Sequence, residues 1–327
     1  IIIISACNYY LMEEFELEDI PGVGRITAKK LRAAGIRSPR FLTMLNPEEL
    51  MEIADIDNPI KAARIIREAK RLYGIEMKPI SAREFKEEYL KWDTISFNVK
   101  ALDELTRGGI SVKELVEFAG EFGSGKTQIC HQLAVTAQLP PSKGGVAGSV
   151  VYIDTERTFS PGRIEKIAER FGLDNALNNI YLFRPTTVTD LEECVFKLYN
   201  LIEEKNVRLV IVDSIIALYR AQLKGMEWLA RRQQRLNYVI DFLKRYAERF
   251  NLAVVYTNQV LQQLNLPHIT MKLPAGGNII AHAATHRFLL KYAKDDTRII
   301  TVFDSPRLPR NASVQFRITE QGLMDVE

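Results

Sequence analysis

Residues 120–127 read GEFGSGKT and have the residue types and spacing of a phosphate-binding loop. The glycines of this segment permit a tight turn whose backbone N–H groups converge on phosphate oxygens. Lys126 would reach the β- and γ-phosphates of a nucleotide, and the Thr127 hydroxyl would bind Mg²⁺. Apolar residues 114–119 predict a strand before the loop, and residues 126–138 predict a helix after it. The sequence therefore predicts a nucleotide site.

Two further apolar segments end in carboxylates. Residues 209–213 read LVIVD, and Asp213 would hold Mg²⁺ directly or through water. Residues 151–156 read VYIDTE, and Glu156 would polarise a water aimed at the γ-phosphate. A helix-capping or solvent-exposed role is the alternative for Glu156, but the neighbouring motifs favour a general base.

These motifs lie where predicted strands and helices alternate, which indicates an α/β fold with a mostly parallel sheet between helices. The predicted strands are 114–119, 150–154, 209–213 and 252–257. The predicted helices are 126–138, 162–171, 188–204 and 229–249. Later strands at 299–303 and 314–319 are expected at the edge of the sheet.

The N-terminal part predicts a small all-helical region of the helix-hairpin-helix type. Apolar residues keep helical spacing on both sides of the hairpin sequence PGVG at 21–24. A second helical pair follows at 47–50 and 53–72. Gly22 and Gly24 would let the backbone approach a DNA phosphate without reading base sequence. A helical domain with a tight turn and no nucleic-acid role is the alternative. The apolar residues around the hairpin are Leu17, Ile20, Ile26, Leu31 and Ile36.

The chain of 327 residues is long enough for two domains. We expect a disordered or artefactual start at 1–12 and a helix-hairpin-helix domain at 13–75. A charged linker with one helix at 84–92 would occupy 76–95. The nucleotide-binding core would then cover 96–327.

Composition restricts the class of protein only in part. The 44 Lys and Arg residues against 41 Asp and Glu residues leave a net charge of +3, which neither requires nor excludes a nucleic-acid partner. The 3 cysteines form no CxxC pair, and the 4 histidines have no grouped co-ligands, which argues against disulfides and zinc. No apolar stretch approaches the roughly 18 residues of a membrane span. We expect a cytoplasmic, nucleoid-associated protein.

A cationic cluster precedes the last predicted helix. Arg220, Lys224, Arg231 and Arg232 bracket a glycine and apolar residues. Such a segment can contact phosphates while its apolar side chains wedge between bases. An ordinary solvated surface is the alternative.

Residues 13–327 resemble the archaeal RadA-type recombinases, which are DNA strand-exchange proteins of the RecA superfamily. The resemblance rests on an ordered series of motifs and on Arg163, which follows one of them. The quoted stretches are IPGVG, GEFGSGKTQICHQL, QLPPSKGG, VYIDTE, IVDS, LARRQQRL, TNQV, AGGNIIAHAATHRF and DSPRLP.

The resemblance implies a RecA-type P-loop ATPase core that uses ATP and Mg²⁺. It implies polymerisation on single-stranded DNA as a filament and strand exchange with a homologous duplex. Glu156, Lys126 and Gln259 would serve catalysis, and Gln259 would sense the γ-phosphate. The implied nucleotide-binding residues are Gly120, Glu121, Phe122, Gly123, Ser124, Gly125, Lys126, Thr127, Gln128, Arg163, Asp304 and Pro306, and the implied metal ligands are Thr127 and Asp213.

The resemblance implies that Arg163 stacks on the adenine base. Asp304 and Pro306 would cap the ATP of the neighbouring subunit. Two loops would bind DNA, the first at 220–232 and the second at 261–276. The implied DNA-binding residues are Arg220, Lys224, Arg231, Arg232, Lys272, Gly22 and Gly24.

The chain departs from the family at working positions. Arg157 stands where the family carries glycine, Met226 replaces an arginine, and Asn278 replaces a histidine. In the linker the family's oligomerisation motif has Phe and Ala three residues apart. This chain has Pro79 at the Phe position, so that Ile80 and Ala82 would form the contact.

Three functions stay open from the sequence. The first is an ATP-dependent recombinase that forms a homo-oligomeric filament. The second is a recombinase paralogue that binds ATP and DNA and assists a recombinase or mediator partner. The third is a non-catalytic, ATP-dependent DNA-binding scaffold, which retention of Lys126, Thr127, Glu156 and Asp213 argues against.

Overall fold

The computed structural model describes residues 15–75, 77–223, 225, 227–263, 271–275 and 282–326. The chain divides into two compact units, one ending at Glu84 and the other beginning at Phe85. The predicted start at 1–12 lies outside the described residues.

The N-terminal unit is all-helical, as predicted. Asn46 and Glu49 exchange side-chain-to-backbone hydrogen bonds of 2.8 Å, which caps one helix. Asn58 caps the next by accepting from the Lys61 amide at 3.0 Å. Proline occupies the first position of both helices, where its missing N–H is tolerated. The helices are α1 Arg25–Ala33, α2 Pro39–Leu42, α3 Pro47–Ala54 and α4 Pro59–Leu72, after a 3₁₀ turn at Leu17–Asp19.

The core of this unit contains four of the five apolar residues that surround the hairpin. Leu17, Ile20, Leu31 and Ile36 are buried as the apolar spacing indicates. Ile26, in contrast, is 81% exposed. Successive helical residues point in different directions, so the buried neighbours of Ile26 on α1 leave it on the outer face.

The linker helix, α5 Ala82–Tyr89, begins and ends earlier than the predicted 84–92. Ser81 Oγ accepts from the Glu84 amide at 3.2 Å, and the Glu84 carboxylate accepts from the Ser81 amide at 2.7 Å. This reciprocal cap fixes the early start. After Tyr89 the backbone tightens into a turn, in which the Trp92 amide donates to Tyr89 at 3.2 Å.

The second unit contains a mixed sheet of 10 strands. The path order is β12-β11-β10-β9-β3-β7-β6-β4-β5, and β8 pairs with β7. Pairing is parallel from β9 to β5 and antiparallel from β9 to β12. The strands are β3 Leu115–Gly120, β4 Ser149–Asp154, β5 Ile180–Phe183, β6 Val207–Asp213, β7 Ala253–Gln263, β8 Met271–Pro274, β9 His286–Tyr292, β10 Thr297–Asp304, β11 Ser313–Thr319 and β12 Gly322–Asp325, with a separate pair of β1 Thr94–Ile95 and β2 Ile110–Ser111.

Helices connect the parallel strands and cover them. Strand β3 is buried along its whole length, as expected when both faces of a parallel sheet are covered. The α/β prediction is confirmed. The predicted late strands are β10 and β11, but their expected place at the edge is wrong, because β12 pairs with β11 and forms the edge. The helices are α6 Lys100–Thr106, α7 Lys126–Thr136, α8 Pro161–Phe171, α9 Val188–Lys205, α10 Ala217–Gln222 and α11 Leu229–Phe250.

The strand register brings the predicted motifs to one edge of the sheet. Gly120 of β3 is in register with Gln259 of β7, and Asp154 of β4 is in register with Asp213 of β6. Ligands of open parallel sheets bind at this carboxyl edge. The elements therefore position the phosphate-binding loop and the acidic strand ends together.

Candidate nucleotide site and nucleic-acid-binding segments

The phosphate-binding loop connects β3 to α7 in a conformation that requires glycine. Gly123 and Gly125 have φ values of +75° and +99°. A Cβ atom on Gly120 would lie 2.4 Å from Ser124 Oγ and 2.7 Å from the Leu290 carbonyl oxygen. The Ser124 hydroxyl is buried without a hydrogen-bond partner in the described chain. A glycine cradle at a helix N-terminus with an unsatisfied buried hydroxyl fits a phosphate group.

Lys126 begins α7 and lies inside this loop. Its Nζ donates to the Gly120 carbonyl at 3.0 Å and to the Glu121 carbonyl at 2.8 Å. Burial lowers the pKa of Lys126, and the charges of Asp213 and Glu156 oppose that shift. The cation is therefore held between the loop and the acidic strand ends.

Asp213, at the end of β6, is buried among hydroxyl donors. Its carboxylate accepts from Tyr152 at 2.9 Å and from Thr257 at 2.5 Å, and Thr127 is a third donor. Burial raises the pKa of Asp213, while the hydrogen bonds from Thr257, Thr127 and Tyr152 oppose the shift. The predicted metal ligands Thr127 and Asp213 thus lie together. Their hydroxyl and carboxylate oxygens fit Mg²⁺, which binds few protein ligands besides phosphate and water.

Glu156 follows β4 and contacts Ser214, which follows β6, and Gln259 of β7. One of its oxygens, Oε1, accepts from Ser214 Oγ at 3.0 Å and from Gln259 Nε2 at 3.1 Å. The side-chain oxygen of Gln259, Oε1, in turn accepts from the Arg220 guanidinium. The structure therefore brings the predicted base and the predicted sensor into contact, and adds Arg220 to the same chain of hydrogen bonds.

Arg163 of α8 lies against α7, the helix that follows the phosphate-binding loop. Its Nε donates to Gln128 at 2.7 Å, and its terminal nitrogens donate to the carbonyls of Thr319 and Glu320. The guanidinium is thus fixed beside α7, next to a phosphate-binding loop whose Phe122 is fully exposed.

Asp304 and Pro306, the predicted cap residues, are exposed at the end of β10. Between them Ser305 is partly buried, and its hydroxyl accepts from the amides of Arg307 at 3.2 Å and Leu308 at 2.9 Å. The Ser305 hydroxyl also lies 2.8 Å from His286 Nδ1. These contacts fix the backbone that presents Asp304 and Pro306 to solvent.

The first predicted DNA-binding loop, 220–232, is helical at both ends, which corrects the sequence interpretation of its extent. Arg220 lies on α10, while Arg231 and Arg232 lie in the first turn of α11. Residues 217–222 read ALYRAQ, which combines good helix formers, so the helix continues where a loop was expected. The Arg231 guanidinium lies 5.5 Å from the centre of the Trp228 ring. Lys224 and Met226 lie outside the described residues.

The second predicted loop, 261–276, is also shorter than expected. Strand β7 extends to Gln263, and β8 returns antiparallel to it with Gln262 opposite Lys272. The two added strand segments pair with each other from Val260 opposite Pro274 to Gln263 opposite Met271. The side chain of Lys272 and the whole of Asn278 lie outside the described residues.

A buried polar network beneath β8 was missed by the sequence interpretation. Asn258 Nδ2 donates to Glu117 and to the Ala275 carbonyl, both at 2.7 Å. Arg287 donates to the other oxygen of Glu117. Burial raises the pKa of Glu117, and Arg287 and the Asn258 amide oppose that shift. Charges inside the apolar strands β3 and β9 were the available signal, because buried ionised side chains need partners.

The helix-hairpin-helix region presents its glycines to solvent. Gly22 has a φ of +94°, and a Cβ there would lie 3.5 Å from the Arg64 guanidinium. Of the cations after the hairpin, Lys30 pairs with Asp55 at 3.2 Å. Arg32 pairs with Glu18 at 2.6 Å. The hairpin glycines, Arg64, Arg25 and Lys29 are exposed phosphate-compatible groups near this turn.

Residues 90–326, well over half of the chain, match the family model described as Rad51. The chain belongs to the Rad51 family. Residues 14–71 match a SAM-like helix-hairpin-helix tandem. The Rad51 family consists of RecA-type recombinases, and its members are DNA-dependent ATPases that use ATP and Mg²⁺. Both matched regions support DNA binding.

Metal clusters, cysteine pairs and membrane-spanning helices were also considered for this Rad51-family chain. Within the described ranges, histidine, cysteine and acidic residues form no cluster of three that could hold a metal ion. Cys130 and Cys194 are both unpaired thiols. Of the helices in the described part, none has the length and apolar character needed to span a membrane.

Proposed function

We propose that this chain is a RadA-type, ATP-dependent DNA recombinase that forms a filament on single-stranded DNA and promotes homologous pairing and strand exchange. The observation that carries the proposal is the convergence of β4, β6 and β7 at Glu156, where Ser214 and Gln259 both donate to its carboxylate. This carboxylate lies near the half-buried Lys126, and its negative charge acts to raise the pKa of that ammonium group.

In this proposal the chain's own residues divide the work of ATP hydrolysis. The glycine loop and Lys126 hold the phosphates. Thr127 and Asp213 hold Mg²⁺, which when bound neutralises charge on the phosphate oxygens. Glu156 accepts a proton from the attacking water. The Gln259 side chain senses the γ-phosphate.

Residues at two ends of the ATPase unit would complete the nucleotide site. Arg163 and Gln128, joined by a 2.7 Å hydrogen bond, are a rigid pair suited to contact the adenine side. The exposed Asp304 and Pro306 are suited to cover the nucleotide of a neighbouring subunit. The proposed ATP therefore lies between subunits.

DNA binding would use the backbone rather than base edges. Arg220, Arg231 and Arg232 supply guanidinium groups for phosphates, and the β7–β8 hairpin carries Lys272. Gly22 and Gly24 let the backbone of the helical hairpin approach a DNA phosphate. Binding to single- and double-stranded DNA is then largely independent of sequence.

A recombinase paralogue is the second candidate, and the linker sequence favours it. Proline at 79 removes the aromatic anchor, and a buried aromatic anchor contributes about 2 kcal/mol or more at an interface. Ile80 is 54% exposed and Ala82 is also exposed, so both are available for a homo-oligomeric contact. A paralogue would instead assist a partner recombinase.

Electron microscopy with an ATP analogue and single-stranded DNA tests the proposal. Long regular helices are expected for the recombinase, while short oligomers or monomers would favour the paralogue. If filaments form, Ile80→Asp should dissolve them because the charge would enter the interface. Leu90→Asp, which charges another exposed apolar residue of the same region, is the matched control and should keep them.

A further inference from the structure

Arg220 contacts the nucleotide site rather than only solvent. It lies on α10, and its guanidinium donates to the side-chain oxygen of Gln259 at the carboxyl edge of the sheet. No carboxylate of the described chain lies within ion-pair distance of it. A guanidinium has five N–H donors, so this contact leaves most of its capacity for another acceptor.

The Gln259 amide joins Arg220 to the candidate general base. Its carbonyl oxygen accepts from Arg220, and its Nε2 donates to Glu156 Oε1 at 3.1 Å. The cation therefore fixes which end of the amide faces the carboxylate. Ser214 donates to the same oxygen of Glu156 at 3.0 Å. Two hydrogen bonds to Oε1 therefore stabilise the carboxylate and compete with a water molecule for this oxygen.

We propose that Arg220 is a positioning residue that restrains Glu156 through Gln259 until DNA phosphate takes the guanidinium away. The inference rests on the proposed function. A phosphate is a charged acceptor and forms a stronger, bidentate contact with arginine than a neutral amide does. Once Arg220 moves to phosphate, the Gln259 amide loses one of its two described side-chain hydrogen bonds and keeps the one to Glu156, so that it can turn from Glu156 toward the nucleotide more easily. DNA would thereby release the base through the first DNA-binding segment.

The test measures ATP hydrolysis by the full chain without DNA. Arg220→Ala should raise the DNA-free kcat by roughly tenfold, the rate equivalent of one charge-assisted hydrogen bond, with little change in KM. The ratio of DNA-stimulated to DNA-free rates should fall accordingly. Lys244→Ala removes one exposed positive charge from α11 and should leave the DNA-free rate unchanged.

The outcomes separate this inference from the proposed function. A DNA-free rate in Arg220→Ala that equals or falls below the wild-type rate overturns the restraint, provided that DNA still stimulates the wild-type protein. Absence of hydrolysis, or of DNA stimulation, in the wild-type protein would instead overturn the proposed function. Arg220 is exposed, so its truncation leaves the core intact.

Discussion

The Gln259 amide donates to the Glu156 carboxylate at 3.1 Å and so joins β7 to the segment after β4, although these strands are not neighbours in the sheet. Strand β6 lies between them, and Ser214, which follows β6, donates to the same carboxylate. Any shift of one strand end therefore changes the surroundings of Glu156. This geometry connects the candidate base to the hairpin that begins with β7.

The buried pair of Glu117 and Arg287 should contribute strongly to stability. Glu117→Gln should lower the free energy of unfolding by about 3 kcal/mol or more, because it leaves the Arg287 charge buried without its partner. Urea unfolding measures this change. Glu169→Gln breaks an exposed pair with Lys166 and is the matched control, with an expected loss below about 1 kcal/mol. Equal losses in the two variants would contradict the buried network.

His131 should make stability depend on pH in the weakly acidic range. Burial, together with the charge of Arg163, lowers the pKa of His131 from 6.5 to about 4, while Asp154 opposes the shift. Between these values the unfolded chain binds a proton that the folded chain does not, so stability falls as pH falls from 6.5 toward 4.

The measurement for His131 compares pH profiles of unfolding. Removing this group with His131→Phe should reduce the slope by up to about 1.4 kcal/mol per pH unit within that range. The aromatic rings of Tyr152 and Phe159 already contact His131, so the substitution keeps the packing chemistry. Parallel profiles for the two proteins would mean that His131 does not titrate as inferred.

Arg157 should be replaceable by glycine with a gain in stability. Its φ of +61° lies in the left-handed region, which costs a side-chain-bearing residue roughly 1 kcal/mol. Its only described side-chain hydrogen bond is a long one of 3.4 Å to the Pro185 carbonyl. Arg157→Gly should raise the free energy of unfolding by about 0.5 kcal/mol, after the greater entropy of unfolded glycine is subtracted. Arg184→Gly, in ordinary backbone, is the control and should destabilise.

Local patterns explain what the sequence predicted well. Strand and helix periodicity is contained within short segments, so the α/β alternation and the acids at 156 and 213 were readable directly. The exposure of Ile26 was not predictable, because apolar spacing alone does not reveal which side of a short helix lacks a packing partner. The two predicted DNA-binding loops were drawn too long. Helices α10 and α11 enter the first one, and strands β7 and β8 enter the second.

Contacts between distant residues were not predictable in this way. Glu117 and Arg287 are 170 positions apart, and Arg220 and Gln259 are 39 apart. Neither pairing leaves a periodic signal, because each depends on which strand ends the sheet order brings together. An acid or arginine inside an apolar strand indicates that some partner exists but not which one.

The most direct test of the central claim is ATP hydrolysis with and without single-stranded DNA. We expect DNA to raise turnover about tenfold or more, which corresponds to at least 1.4 kcal/mol of additional transition-state stabilisation. Lys126→Ala should lower the stimulated rate by roughly 10²–10³ because it removes the cation from the phosphate site. Equal wild-type rates with and without DNA, or an unchanged rate in Lys126→Ala, would contradict a DNA-dependent ATPase built on this site.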